Sequence, residues 1–379
     1  MTINNPFQTN TIPTTPITLS SAAYQSVQAL RKRGQLSRTA IADEIGYSPS
    51  KITSVVNTLI TKQIIAEQDG STYTGGRRAR DLFFNPDFGY LLSIGINKDT
   101  LDIALVDFSE QVRLRRMIPI ATQATPSFVL QTMADFVAER LNRFDIALDR
   151  VLGVGLTLPG AIDPLSGQLF ETSVLPQWGG YQILSFLRER FPHSVIKIEK
   201  DANAMAFAAL RKGRGIGYDH IIYVSLEDSV RAGLILNGQM YRGISGRAGD
   251  LGDMLLPIDN TLKSLNTIVD EVPLAMEETL QSQALEGDVQ AKTVIETSGQ
   301  LLGQALANLS TLLDPQIILI GGTGVHLNHP FLAAVRRSFL DYAQSFKTQN
   351  LQIELASLKD ASLLGIVALT AESIFTFDP

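Results

Sequence analysis

The sequence predicts an α/β protein in which a small winged helix-turn-helix module precedes a larger domain made of two similar lobes. Three observations lead to this prediction: three helical patterns within a short basic segment, a hairpin pattern directly after them, and a strand–turn–strand pattern that occurs twice further on. A chain of 379 residues is long enough for two or three domains.

The charge of the chain is unevenly divided. Residues 20–85 carry nine Lys or Arg against five Asp or Glu, whereas residues 86–379 carry 23 against 33. The net charge of −6 therefore combines a basic module with an acidic domain. A basic module of this kind is typical of proteins that bind the phosphate backbone of nucleic acids.

The start of the chain and its composition bear on location. Residues 1–18 are rich in Thr, Asn and Pro, lack the basic start and apolar stretch of a signal peptide, and are expected to form a disordered tail. No apolar run approaches the ~20 residues that span a bilayer. The chain has no cysteine for a disulfide or a thiolate zinc site. We therefore expect a cytoplasmic protein without membrane association.

Residues 19–85 are predicted to form the winged helix-turn-helix. A first helix spans Ser20–Arg33 and ends at Gly34, and Ser37 begins a short second helix that ends at Gly46. A third helix begins at Ser50. Its apolar stripe consists of Ile52, Val55, Val56, Leu59 and Ile60. A short helix, a Gly-containing turn and a second capped helix are typical of a helix-turn-helix.

The outer face of the third helix carries short polar and basic side chains near its N-terminus. These candidate DNA contacts are Ser50, Lys51, Thr53, Ser54 and Asn57. In a helix-turn-helix this end enters the major groove, where Ser, Thr and Asn can bond base edges and Lys can meet phosphates. Taken alone, the same face is equally well explained as a solvated helix surface.

The segment after the third helix reads as a wing. Ile64–Glu67 and Leu82–Phe84 are predicted strands, and between them a glycine-rich stretch carries three further candidate DNA contacts, Arg77, Arg78 and Arg80. Arginines beside glycines can lie in a narrow minor groove. The alternative is a simple basic linker, but together with the helices the segment favours DNA binding.

The larger domain, residues 86–379, begins with two strands around a polar turn. The same pattern returns later, and other apolar strands end in glycine-bearing loops. The predicted strands are Leu91–Ile96, Leu101–Phe108, Val151–Leu156, Ile221–Ser225, Ala232–Leu236 and Gln316–Ile320. Duplicated halves with intervening helices predict two α/β lobes that face a cleft.

Several motifs in order resemble those of the ROK family of repressors, open reading frames and sugar kinases, in its repressor branch. They are Gly75–Arg78, Gly153–Asp163, Leu175–Trp178, Asp201–Asn203, Asn237–Gly243, Gly246–Gly252, and Asn308 through Asp314–Pro315 to Gly321–Gly322. The resemblance covers about residues 20–375. It implies an actin/hexokinase-like (ribonuclease H-like) fold, with lobe one at about 86–200 plus the C-terminal helix and lobe two at about 201–365.

The chain departs from the kinases of that family at both phosphate-binding turns. Where the kinases carry Asp-x-Gly-Gly-Thr, this chain has Asn97–Thr100 without glycine. Where they carry Gly-Thr-Gly-Ile-Gly, it has Leu226–Gly233, which includes Glu227 and Asp228. Two carboxylates would repel a polyphosphate. We therefore expect no nucleotide binding, no catalytic residues and no cofactor.

By the same resemblance, a ligand would lie between the lobes. The candidate ligand-binding residues are Gly160, Lys200, Asp201, Asn203, Asp250 and Asp253. Asp201 matches the kinases' catalytic base and could bond a ligand hydroxyl, although a helix-capping role for Asp201 or Asn203 explains them equally well.

Substitutions at the ligand positions weaken the case for a neutral hexose. Val174 and Lys200 replace asparagines of the family, and Asp250 and Asp253 replace its Glu and His. Lys200 is expected to form a salt bridge with Asp201 or Asp250, and the alternative is contact with an acidic ligand. The family's zinc motif needs cysteines, so no metal is predicted.

Three functions remain open from the sequence. The first is a sugar-responsive repressor that acts as a homodimer or dimer of dimers on a palindromic double-stranded DNA operator. The second is a DNA-binding regulator whose ligand pocket has decayed. The third, an active sugar kinase, is disfavoured by the altered turns.

Overall fold

A computed structural model describes residues 16–69, 80–163, 165–170, 172–258, 261–267, 277–322, 328–343 and 351–377. Two five-stranded sheets form its centre, and a small helical module lies beside the first of them. The predicted combination of a winged helix-turn-helix with a two-lobed α/β domain is confirmed. None of the helices in these ranges is both long and apolar enough to cross a bilayer.

The N-terminal module contains three helices and a three-stranded sheet in the order β2-β4-β3. Its helices are α1 (Ser21–Arg33), α2 (Arg38–Ile45) and α3 (Pro49–Thr61). Its strands are β2 (Leu36–Ser37), β3 (Ile65–Asp69) and β4 (Arg80–Phe84). The Ser37 hydroxyl caps α2 by accepting from the Ala40 amide at 3.1 Å. Gly46 ends that helix in the left-handed conformation at φ 75°.

The third helix begins one residue before the predicted Ser50, because Pro49 occupies its first position and Ser48 caps it. The antiparallel pair β3–β4 forms the base of the predicted wing. Residues 70–79, including Arg77 and Arg78, lie outside the described ranges.

The first lobe is built on a sheet of order β7-β6-β5-β8-β9. Its strands are β5 (Tyr90–Ile96), β6 (Thr100–Asp107), β7 (Val112–Pro119), β8 (Val151–Leu158) and β9 (Val195–Lys200). Helices α4 (Pro126–Arg143) and α5 (Ile183–Arg190) accompany it. Every residue of β8 is buried, as expected for a central strand with parallel neighbours.

The second lobe repeats this arrangement with the order β12-β11-β10-β15-β16. Its sheet contains β10 (Ile221–Leu226), β11 (Val230–Leu236), β12 (Gln239–Tyr241), β15 (Ile317–Gly321) and β16 (Gln352–Leu355). Its other elements are the hairpin β13 (Leu255–Ile258) and β14 (Thr261–Ser264), and the helices α7 (Glu277–Glu286), α8 (Val289–Leu313) and α9 (Asn328–Tyr342). In both sheets, two antiparallel pairings precede two parallel ones.

Two helices link the lobes. Helix α6 (Asp201–Lys212) follows β9 without a loop and packs on β10 and β11 of the second sheet. Helix α10 (Ala361–Ser373) follows the second sheet and packs back on β5, β8 and β9 of the first. The two helices cross in contact with each other. Each helix follows the last strand of one lobe and packs on the sheet of the other lobe, so the pair holds the lobes together.

The N-terminal module is joined to the first lobe by a short parallel pair. Strand β1 (Ile17–Leu19) pairs with β17 (Phe375–Phe377), which directly follows α10. The predicted tail over residues 1–18 is therefore wrong at Ile17 and Thr18, which lie in this strand. Pairing with a distant strand supplies the backbone hydrogen bonds that the local sequence cannot. One hydrophobic core runs from α1 and α3 through β6 to α10.

Candidate functional site

A polar cleft lies where loops of the two lobes meet. It has a volume of about 170 Å³ and is lined by the predicted Gly160, Asp250 and Asp253 together with Arg231 and Arg247. The guanidinium of Arg247, from the second lobe, lies 4.9 Å from the ring centroid of Phe170 of the first. The loops are tightly apposed, since a Cβ on Gly246 would lie 1.9 Å from the Ile162 carbonyl oxygen.

The other predicted ligand residues lie beneath this cleft rather than in its wall. Lys200, Asp201 and Asn203 are only 1%, 4% and 1% exposed. They come from the end of β9 and the first turn of α6, where the last residue of a buried strand becomes the start of a buried helix. A side chain buried this deeply needs internal partners, and each has them.

The carboxylate of Asp201 pairs with an arginine that the sequence analysis did not single out. Arg231, near the start of β11, donates from Nε to Oδ1 at 3.0 Å and from Nη2 to Oδ2 at 2.7 Å. Both side chains are 5% exposed. Asp201 Oδ1 also accepts from the Ala202 amide at 2.6 Å, and Arg231 donates to Ser229 as well. The arginine and the amide together take up most of the roughly four acceptor positions of the carboxylate, and Asp201 is only 4% exposed, so a ligand hydroxyl has little access to it.

Lys200 makes one of the two predicted salt bridges. Its Nζ donates to the Ala248 carbonyl at 2.6 Å and to Asp250 Oδ1 at 3.3 Å, while Asp201 pairs with Arg231 instead. Burial lowers the pKa of Lys200, which Asp250 partly offsets, and burial likewise raises the pKa of Asp250. Since both charges are already satisfied, the Lys200 side chain belongs to the floor of the cleft.

Asn203 belongs to a neighbouring polar cluster. Its Nδ2 donates to Glu199 Oε1 at 2.8 Å, and Arg242 donates to Glu199 Oε2 at 2.7 Å. Asn203 Oδ1 is buried without a hydrogen-bond partner. The capping role considered for Asn203 does not occur: the N-cap position of α6 is Lys200, and Asn203 bonds a side chain rather than a free amide.

The turns that match the phosphate-binding turns of the kinases carry carboxylates here, Asp99 in the first and Glu227 and Asp228 in the second, and they lie close enough for their charges to interact. Burial raises the pKa of Asp228 in the β10–β11 turn, and Lys98 of the β5–β6 turn and Arg231 partly offset this shift. Beside these turns lies a larger cleft of about 580 Å³, which Asn97, Tyr223, Glu227 and Gly321 help to line. Its arginine, Arg115, already pairs with Asp102 and Asp360. The carboxylate of Glu227 in this lining would repel the phosphates of a triphosphate.

The Asp250–Asp253 segment does not fit a zinc site of the family's kind. The chain has no cysteine, and in the described ranges no three His, Asp or Glu side chains are grouped so that they could share a metal ion. Asp253 is exposed at the cleft, and Asp250 is engaged by Lys200.

A second surface of interest is the outer face of α3. All five predicted contacts, Ser50, Lys51, Thr53, Ser54 and Asn57, are exposed on this face. Arg38, which sequence reasoning did not single out, donates to Asn57 Oδ1 at 2.9 Å and pairs with Glu67 at 2.6 Å. Arg80 also pairs with Glu67, at 3.5 Å. Glu67 thus fixes an arginine of α2 and one of the wing beside α3.

The profile of the ROK family matches residues 91–373. Among curated proteins, the chain is 24% identical to the xylose repressor of Bacillus spizizenii over 366 residues, which cover 91% of this chain and 94% of that protein. It is 25% identical to the DNA-binding transcriptional dual regulator NagC of Escherichia coli, with 94% and 92% of the two chains covered.

Solved structures resemble the chain to different extents. A ROK family transcriptional regulator, described as a homolog of the E. coli MLC protein, superposes with a TM-score of 0.76 at 21% identity and covers 93% of this chain and 95% of its own. A ROK family glucokinase from Streptomyces griseus, in complex with glucose and AMPPNP, superposes with a TM-score of 0.62 at 19% identity. It covers 74% of this chain and 99% of its own. The regulator therefore shares a larger part of this fold than the kinase does.

Proposed function

This chain belongs to the ROK family, and we propose that it is a DNA-binding transcriptional repressor controlled by a sugar or sugar-derived ligand bound between its lobes. The observation that carries the proposal is the pairing of Arg231 with Asp201. The pair engages the carboxylate that matches the proton acceptor of a sugar kinase but leaves a polar cleft above it, on a chain that also carries a winged helix-turn-helix.

The relatives support regulation rather than catalysis. The xylose repressor and NagC match this chain over nine-tenths of its length, including the N-terminal module. Their names point to a sugar as the effector class and to operator DNA as the partner. We accordingly propose that the protein acts in the cytoplasm, where its DNA is located.

The ligand would enter the cleft above Arg231. Gly160, Asp250, Asp253 and Arg247 supply backbone and charged groups of both signs there, as a polyhydroxylated ligand requires. Lys200, Asp201 and Asn203 would support these groups from below, because their own hydrogen bonds are made within the protein.

A thermal-shift series on the purified full chain tests this proposal. The probes are D-xylose, N-acetylglucosamine, a panel of sugar acids and sugar phosphates, and ATP with Mg²⁺. We expect one sugar class to raise the melting temperature and ATP to leave it unchanged, because a ligand that binds only the folded state stabilises it. A shift with ATP would contradict the proposal. Silence across the panel would favour the alternative, a regulator with a decayed pocket, which the internally satisfied Lys200 and Asp201 also allow.

We further propose that two copies of the chain bind a palindromic operator through α3. The first test is Lys51→Ala, with an operator selected from random duplex DNA. Lys51 is exposed at the N-terminal end of α3, so we expect weaker binding and a salt slope reduced by about one. Lys62→Ala, at the other end of the same helix, is the matched control and should change neither. Equal effects of the two variants would argue against docking by the N-terminal end.

A further inference from the structure

Helix α6 connects the cleft to the DNA-binding module. Its first residue, Asp201, bonds Arg231 at the cleft floor. Its last two residues, Arg211 and Lys212, lie about 16 Å further along the helix axis, at the usual rise of about 1.5 Å per residue. There they pair with Glu372 and Glu110, next to α1 of the winged helix-turn-helix.

Glu110 joins three parts of the molecule. It lies at the turn between β6 and β7, and it accepts from Lys212 of α6 and from Arg31 of α1, the latter at 3.3 Å. Arg31 is 5% exposed, and its guanidinium lies 4.6 Å from the ring centroid of Phe84 and 5.1 Å from that of Phe108. A single carboxylate thus bonds the DNA-binding module and the end of α6 at once.

Only part of the Arg31 guanidinium has a hydrogen-bond partner, because Nη1 alone donates to Glu110. Its Nε and Nη2 are buried without a partner, which is unusual because an unpaired buried donor carries a desolvation penalty of about 1–3 kcal/mol. Burial lowers the pKa of Arg31, and the nearby charges of Glu110 and Glu372 act in the opposite direction. A second carboxylate, Glu372, therefore acts on the charge of Arg31 while it pairs with Arg211 at the end of α6.

The helix is packed so tightly that a shift at one end must move the other. A Cβ on Gly233 of β11 would lie 2.3 Å from the Ala202 carbonyl oxygen, and one on Gly365 of α10 would lie 1.7 Å from that of Ala204. Residues 201–209 of α6 are all buried. Closely packed elements move as units rather than deform.

We propose that α6 transmits the state of the ligand cleft to the DNA-binding module as a rigid body, with Lys212, Glu110 and Arg31 as its output joint. The proposal rests on the proposed function, since it names the route by which a ligand in the cleft controls α1. A change in the Arg231–Asp201 pair shifts α6, Lys212 shifts Glu110, and Arg31 exchanges part of its bonding to Glu372. Because the buried Arg31 side chain belongs to α1, this exchange of partners changes the orientation of α1.

Hydrogen exchange on the full-length protein tests this route without a ligand or an operator. Arg231→Met perturbs the input, and Asp250→Asn repeats the test with a smaller perturbation that breaks only the Lys200 salt bridge. We expect amide exchange over Ser21–Arg33 to change by about fivefold in Arg231→Met, a coupling of the usual size. Adding Lys212→Met should remove most of that change.

The matched control is Arg214→Met. Arg214 lies two residues beyond Lys212 but pairs with Glu354 of β16, away from the DNA-binding module. Adding Arg214→Met to Arg231→Met should leave the change in amide exchange over α1 intact. If both input variants alter exchange around Asp201 but not in α1, transmission by α6 is wrong. If α1 responds equally with and without Lys212, the output joint is wrong. Neither result depends on whether a sugar or an operator binds, so failure here is separable from failure of the proposed function.

Discussion

Arg231 and Asp201 determine what the cleft can do. The two charges are buried together and bond each other through both carboxylate oxygens, so a ligand that took over these bonds would have to break the pair. Removing one member of such a pair leaves an uncompensated buried charge. The pair therefore engages the carboxylate that matches the catalytic base of the kinases, and it is also a requirement for the stability of the site.

Asp201→Asn should lower the free energy of unfolding by about 3 kcal/mol, since Arg231 would remain buried beside a neutral amide. Urea denaturation followed by circular dichroism measures the change. Asp253→Asn is the control, because Asp253 is exposed at the same cleft and its replacement should cost less than about 0.5 kcal/mol. Equal costs would mean that the Arg231 pair contributes nothing specific.

Asp228 gives a pH-dependent prediction. Its pKa is raised, chiefly by burial, so the folded state favours the protonated form more than the unfolded chain does. The stability that this provides is present at acid pH and is lost as the pH rises through the raised pKa. The Asp228→Asn variant does not lose stability in this way, because asparagine does not titrate. The free energy of unfolding of the variant, relative to wild type, should therefore increase from about pH 4 to about pH 7, and a constant difference would contradict the assignment.

The sequence predicted part of this site. The bond between Lys200 and Asp250 was one of two expected salt bridges. Arg231 was not foreseen as the partner of Asp201, because the two are thirty residues apart and meet only when β11 packs against the first turn of α6. Residues of unlike charge far apart in sequence carry no local signal of their pairing.

At the scale of elements, the crossing of α6 and α10 joins the lobes. The helices approach so closely at Gly365 that no side chain fits between them. The three helices of the N-terminal module and the strands β5, β6, β8, β10, β11 and β15 were predicted from periodicity and capping residues. Strands β1 and β2 were not, because they have three and two residues and exist only through pairing with β17 and β4.

Gly365→Ala tests this crossing. The added methyl group would overlap the Ala204 carbonyl oxygen, so the helices must separate, and we expect a loss of about 1–3 kcal/mol in the free energy of unfolding. Thermal or urea unfolding measures it. Ser373→Ala, at the end of the same helix, should cost well under about 1 kcal/mol. A silent Gly365→Ala would mean that the helices are less tightly apposed than the structure indicates.

At the scale of the whole molecule, the DNA-binding module shares its core with the first lobe. Phe375 of β17 is buried, with ring centroids of Phe108 and Phe88 at 5.9 and 6.4 Å, and Phe108 also contacts Phe84 of the wing. The module is thus not suspended on a free linker, and a movement within the lobes can change its orientation.

Phe375→Ala should release this attachment. Loss of the buried ring is expected to cost about 3–5 kcal/mol where the two units meet. Calorimetry should then resolve an early transition of the N-terminal module from that of the lobes, whereas wild type unfolds more cooperatively. The control, Phe377→Ala, removes a half-exposed ring from the same strand and should separate the transitions much less. Unchanged cooperativity in Phe375→Ala would contradict a shared core.

The parallel pairing of β1 with β17 also sets an order of events during translation. Residues 17–85 leave the ribosome roughly 15 to 60 seconds before Phe375 at ordinary elongation rates. A nascent chain can therefore form its DNA-binding helices while the strand that anchors them has not yet been made. Attachment of that module to the first lobe therefore comes only after both lobes have been made, and a messenger cut short before codon 375 would encode the DNA-binding helices without their anchor.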